Sequence, residues 1–280
     1  MARARQQRCA GFTLVELAVV MTIVALLLAG LMYTLAAQTE QRNFDETRRR
    51  LEQARELVLA FAMVNGRLPC PARSAATAVP VTGAGDEVRD TSGATANCTG
   101  DGTLDFYGGA VGGVTLGLLP ARTLGIAQVD SAGFAVDAWG NRLRYAVARL
   151  KTNCAANPLG LLDPHFVDAA AMRRNGLGCQ PNDLIVCRSA TGITANDCGG
   201  AANQLMVTDL VAAIIFSTGK NTTSVVAAGI DEAANTNGDR VFVYHTPTPS
   251  EAANGEFDDQ FVWITVGELY GRLVAAGKMP

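Results

Sequence analysis

"GFTLVELAVVMTIVALLLAGLMYTLAA", Gly11 to Ala37, carries a single charged residue, Glu16. At about 1.5 Å per residue, a helix from Phe12 to Ala37 exceeds a hydrocarbon core of roughly 30 Å, so the run predicts one membrane-spanning helix. An ordinary cleavable secretory signal has an apolar stretch of roughly 7–15 residues and then a small-residue cleavage site. This run is longer and shows no such site. A charged group inside a span costs roughly 2.5–3.5 kcal/mol on insertion scales, so Glu16 needs a partner or a place near the head groups.

Outward from that stretch, a chain of 280 residues has room for a sizeable domain besides the helix. Net charge is −3, and outside Arg48-Arg49-Arg50 the basic residues are scattered, so no continuous basic stripe recommends nucleic acid as a partner. Seven cysteines occur: Cys9 stands before the apolar run, and Cys70, Cys98, Cys154, Cys179, Cys187 and Cys198 follow it. An even set beyond the span suits disulfides in an oxidising compartment, with connectivity left open. The absence of a CxxC pair, and of metal-ligand spacing around His165 and His245, argues against zinc. The basic residues flanking the span, Arg3, Arg5 and Arg8 before it and Arg42 and Arg48 to Arg50 after it, do not decide orientation. The cysteines do, by placing the larger part outside the reducing cytoplasm.

"GFTLVEL", Gly11 to Leu17, after a short basic leader and before a long apolar run, resembles the type IV prepilin signature. The resemblance implies that a prepilin peptidase cuts after Gly11 and that the new terminus, Phe12, is methylated. It further implies that the Glu16 carboxylate pairs with the terminal nitrogen of a neighbouring subunit and so sets the register of a filament. A side-chain-free Gly11 suits access of a peptidase to the backbone. The implied fold is α+β, a pilin-like lollipop: leader 1–11, N-terminal helix 12–65 with 12–37 transmembrane, and a mainly antiparallel head over 66–280. The implied partners are prepilin peptidase, other pilin or pseudopilin subunits and the inner-membrane assembly platform. The implied location is the inner membrane with a periplasmic head, then a pilus or pseudopilus.

The helical period continues beyond Ala37 through Phe44, Thr47, Leu51, Ala54, Val58 and Phe61. Charges at i,i+4 spacing, Asp45 with Arg49, Glu46 with Arg50 and Arg48 with Glu52, decorate what reads as a solvated face. Asn65-Gly66 followed by Pro69 and Pro71 predicts the helix end. From Ser74 to Gly113 the Gly-, Ala-, Thr- and Ser-rich sequence reads as long loops with short strands at most. "NRLRYAVARL", "DLIVCR", "LVAAIIFST", "RVFVYHT" and "QFVWITV" read as strands. Thr265 and Glu268 have capping-box spacing before a short helix over 266–276.

"DAWGN", Asp137 to Asn141, resembles the D-P-W-G turn of the major pseudopilin of type II secretion, with Ala138 in place of the proline. In that subgroup an acid-rich C-terminal loop binds calcium, and the candidates here are Asp231, Asn235, Asn237, Asp239, Asp258 and Asp259, hard oxygen donors of the type calcium takes. "NTNGD" matches only part of an EF-hand loop. No cofactor other than calcium is expected. No GxSxG or HExxH motif surrounds either histidine, which read as exposed loop residues, and Gly108 to Gly113 lacks the Lys-Ser/Thr ending of a phosphate loop. No enzymatic activity is expected.

Two departures from major pilins point to a minor subunit. No proline interrupts the chain between Phe12 and Pro69, and no cysteine pair frames the C-terminus. The competing reading is a single-pass membrane-anchored periplasmic binding or hydrolytic domain.

Overall fold

A computed structural model describes residues 13–74, 83–89, 98, 107, 110–111, 114–148, 166–175, 184–206, 211–221 and 229–279. The side chains of residues 29–36, 110, 111, 114–116 and 175 are outside that description. Two compact units emerge, Met1–Asp45 and Glu46–Pro280, and helix α1 (Leu14–Asn65) supplies backbone to both.

In the first unit the apolar side chains of α1 stand exposed, from Leu14 (84%) to Leu28 (55%). Among the described residues no helix is long and apolar enough to cross a membrane. The expected span over 12–37 therefore lacks structural support. The apolar side chains described in that run end at Leu28, short of the ~20 that a span requires, and Phe12 and the side chains of 29–36 lie outside the description.

In the second unit α1 becomes amphipathic. Thr47, Leu51, Ala54, Val58 and Ala62 recur at spacings of three and four and are all buried, with Phe61 packed beside them. The helix ends at Asn65, where Gly66 takes a φ of 70° and donates its N–H to the Ala62 carbonyl at 2.7 Å. The triplet expected to be solvated divides. Arg48 and Arg49 are exposed, but Arg50 is half-buried: it pairs with Glu46 at 2.9 Å and donates to the carbonyls of Val136 (3.0 Å) and Asp137 (2.8 Å). Helical spacing cannot foresee a carbonyl pair contributed by a turn distant in sequence.

An antiparallel sheet follows. Strands β1 (Ala72–Ser74), β2 (Ala110–Val111), β3 (Val114–Leu118), β4 (Arg144–Val147), β6 (Val211–Ser217) and β8 (Gln260–Thr265) form one antiparallel sheet, in the order β1-β3-β4-β6-β8 with β2 also on β3. Strand β6, paired on both sides, is buried at every position, which explains its unbroken apolar run Val211–Phe216. A second, two-stranded sheet joins β5 (Ile185–Cys187) to β7 (Val241–Val243), and these run parallel, beside the mainly antiparallel sheet that was expected. Short helices α2 (Ala121–Leu124), α3 (Ala169–Asn175) and α4 (Ile230–Asn235) intervene, and α5 (Val266–Ala275) closes the fold. The expected cap of α5 is present: the Glu268 N–H donates to Thr265 Oγ1 at 3.3 Å.

One continuous core joins α1, both sheets and α5, with Phe216 stacked on Phe261 at 4.8 Å and Phe166 edge-on to Tyr270 at 6.1 Å. Cys70 pairs with Cys98 and Cys187 with Cys198. Cys154 and Cys179 lie outside the described residues. Arg67 grips Glu87 through two nitrogens at 2.8 and 2.5 Å, and Glu87 also accepts the Cys70 N–H, so the chain beside the first disulfide is held by charge as well.

Candidate functional site

At the start of α1, Thr13 and Glu16 form a reciprocal cap. The Glu16 N–H donates to Thr13 Oγ1 (3.3 Å), while Glu16 Oε2 accepts from the Thr13 N–H (2.9 Å) and hydroxyl (2.8 Å). This is the Thr-x-x-Glu capping box, which satisfies two helix-start donors at once. The sequence pattern was present but masked by the apolar run. It gives the carboxylate an occupation within the single chain, at the start of a helix stretch whose described large apolar side chains, from Leu14 to Leu28, stand exposed. Gly11 and Phe12 lie outside the described residues.

A second constellation lies in the other unit. Glu232 on α4 and Asp258 and Asp259, just before β8, bring one carboxylate oxygen each within 4.8 Å of one another, and all three residues are buried. Glu232 accepts the Asp258 N–H (2.8 Å) and the Asn221 amide (2.9 Å), Asp258 accepts the Lys220 N–H (3.1 Å), and Asp259 accepts the Asn235 amide (2.7 Å). The remaining oxygens, Asp258 Oδ1 and Asp259 Oδ1, have no hydrogen-bond partner. Burial, and then the charges of Glu232 and Glu256, push the Asp258 carboxyl up to about 7 against the opposing Lys220 N–H bond. Burial likewise drives Asp259 well above the usual carboxylate range, with Glu232 and Asp258 adding to it. Gly219 is required beside this cluster: its φ is +61°, and a Cβ there would sit 1.6 Å from Asp258 Oδ1.

Of the six oxygen donors expected to act together, the structure brings Asp258 and Asp259 into the cluster. Asn235 touches it through its amide, but its oxygen already accepts the Val243 N–H at 2.7 Å. Asp231 faces elsewhere, binding the Ala190 N–H (2.5 Å), Asn254 (3.0 Å) and His245 Nε2 (3.1 Å). Asn237 and Asp239 bond to each other at 2.8 Å in the turn before β7. Glu232 was missed, because nothing in a linear reading joins it to acids 26 residues away. His245 is not the exposed loop residue expected: its side chain is 22% exposed and stacks on Phe257 at 4.0 Å. His165 lies outside the described residues.

Residues 6–32 match the family model of the prokaryotic N-terminal methylation motif. The chain thus carries the signature of type IV pilins and pseudopilins. No curated protein and no solved structure matches it.

Proposed function

We propose that the protein is a minor, non-enzymatic subunit of a type IV pilus or a type II secretion pseudopilus. It enters the inner membrane with its head in the periplasm, is cut by prepilin peptidase after Gly11, is methylated at Phe12, and joins other pilins through its helix on an inner-membrane platform. The reading is carried by one observation: the matched motif runs directly into an α-helix whose apolar side chains, Leu14 to Leu28, are exposed. Each large apolar side chain taken out of water contributes about 1.5–3 kcal/mol, so such a surface calls for lipid first and neighbouring helices afterwards.

Glu16 supplies the polar term. In the single chain its carboxylate caps the helix, and in a fibre the new amino terminus of a neighbour becomes its partner. The large head and the uninterrupted helix support a minor subunit over one repeated densely along a fibre.

The processing step has a direct test in a host supplying prepilin peptidase. Gly11→Val should abolish maturation, leaving only full-length chain on an immunoblot where the parent runs as the shorter mature form. A variant trimmed as completely as the parent would contradict cleavage at this bond.

A further inference from the structure

A separate polar knot forms where Asp231 of α4 meets the loop 246–256 that leads from β7 towards β8. That loop is exposed from Thr246 to Ala253 except at Thr248 and Ala252. It nevertheless lies directly on the start of α4: the Ile230 N–H donates to the Asn254 carbonyl at 2.9 Å, and a Cβ on Gly229 would sit 2.5 Å from that same oxygen. Asp231 is buried and gathers three segments, accepting from the Ala190 N–H after β5 (2.5 Å), from the Asn254 amide at each oxygen (3.1 and 3.0 Å) and from His245 (3.1 Å). His245 is held at both ring nitrogens. Its Nε2 faces Asp231 Oδ2, its Nδ1 lies 2.7 Å from the Thr246 carbonyl oxygen, and its ring stacks on Phe257. A carbonyl and an ionised carboxylate only accept. A neutral imidazole has one N–H and one lone pair, so it answers one of these oxygens and turns a lone pair on the other, whereas the imidazolium answers both.

We propose that His245 is a proton-operated latch, which as the imidazolium clasps loop 246–256 to α4 and on losing a proton releases it. Among the described contacts of the ring, Asp231 is the charged one. The segment after β5 brings Ser189 and Ala190 to the same knot, and the loop brings Asn254 and Phe257, all uncharged. The acids nearby in sequence are engaged elsewhere: Glu232 accepts the Asp258 N–H and the Asn221 amide, Glu256 pairs with Lys220 at 2.9 Å, and Glu251 is exposed and accepts the Ser250 hydroxyl. An imidazole changes charge between about pH 5 and 8, so both bonds are present at the acid end of that range and one is lost as pH rises. The latch concerns this head alone and operates whether or not the chain joins a fibre.

Hydrogen exchange of the full-length protein in detergent tests the latch, read at the Ile230 and Ala190 N–H groups, whose bonds cross it. After correction for the intrinsic effect of pH, both are expected to exchange at least about tenfold faster at about pH 8.5 than at about pH 6. His245→Phe keeps a ring against Phe257 but has no proton to lose, so these groups should exchange fast at both pH values. Asp258→Asn removes the neighbouring carboxyl that is pushed up to about 7, and should leave the pH dependence in place. Equal protection of the parent at the two pH values overturns the proposal, as does an undiminished pH dependence in His245→Phe. If His245→Phe fails to fold, the parent carrying nitrogen-labelled histidine decides by magnetic resonance, with the two histidines told apart by His165→Gln. Two ring N–H protons on His245 at about pH 6 support the latch, and a single one overturns it.

Discussion

Glu16→Gln is expected to be inserted, cut and methylated like the parent, and to enter fibres at least about tenfold less. The reason lies in the cap. Glutamine serves at the fourth position of a capping box as well as glutamate does, so the contacts to Thr13 survive and the helix still starts at Leu14. Only the charge is lost. Removing one partner of a buried ion pair costs about 3–5 kcal/mol, and every 1.4 kcal/mol is about tenfold in an equilibrium, so a charge that sets register cannot be removed silently. Thr13→Val is the complementary variant. It loses the side-chain cap, worth about 1 kcal/mol, keeps the charge, and should assemble nearly as the parent does. Immunoblotting of sheared fibres against whole-cell protein measures the ratio. Equal incorporation of Glu16→Gln would show that the carboxylate is there for the cap alone.

Asp137→Ala should lower the melting temperature by about 10 °C. Asp137 is 2% exposed, and its carboxylate accepts the N–H groups of Trp139 (2.9 Å) and Asn141 (2.8 Å) and the hydroxyl of Ser217 (2.6 Å). The turn it organises is bound on its other side by α1, through Arg50 to the Val136 and Asp137 carbonyls and through Thr47 Oγ1, which accepts the Ala138 N–H at 3.1 Å. The Asn141 amide reaches the Gly219 carbonyl at 2.6 Å, adding the end of β6. Alanine would leave the buried Ser217 hydroxyl and two half-buried N–H groups without their carboxylate, a loss of about 3–5 kcal/mol, or about 2–4 °C per kcal/mol in a domain this size. Asp137→Asn can still accept from the two N–H groups and should lose less than half as much. Thermal melts followed by circular dichroism check both, and a fall of under 2 °C for alanine would remove Asp137 from the framework.

What the sequence disclosed follows from the range of each interaction. The motif at Gly11 to Leu17 is contiguous, so it was readable. So were the helix running to Asn65, fixed by local period and by Gly66, and the capped helix after Thr265. The apolar strands β4 to β8 each announced themselves. Their partners did not, because pairing β5 with β7 depends on chain closure over more than fifty residues, and nothing in "DLIVCR" names "RVFVYHT" as a parallel neighbour. The acidic cluster failed to show for the same reason. Asp258 and Asp259 were visible as adjacent acids, but Glu232 joins them only once α4 is folded against the approach to β8. Arg50 was misread because charge pairing along a helix and a hydrogen bond to a distant turn leave the same mark in sequence. The Thr13–Glu16 box is local and legible, but it heads an apolar run in which a lone acid reads first as a cost of membrane insertion.

The most direct test of the account is the intact mass of the protein extracted from membranes of a host that supplies prepilin peptidase. A chain beginning at Phe12 and carrying one methyl group on its amino terminus is the predicted result. A chain that retains Met1 to Gly11 would contradict the account and leave a simple anchored domain in its place.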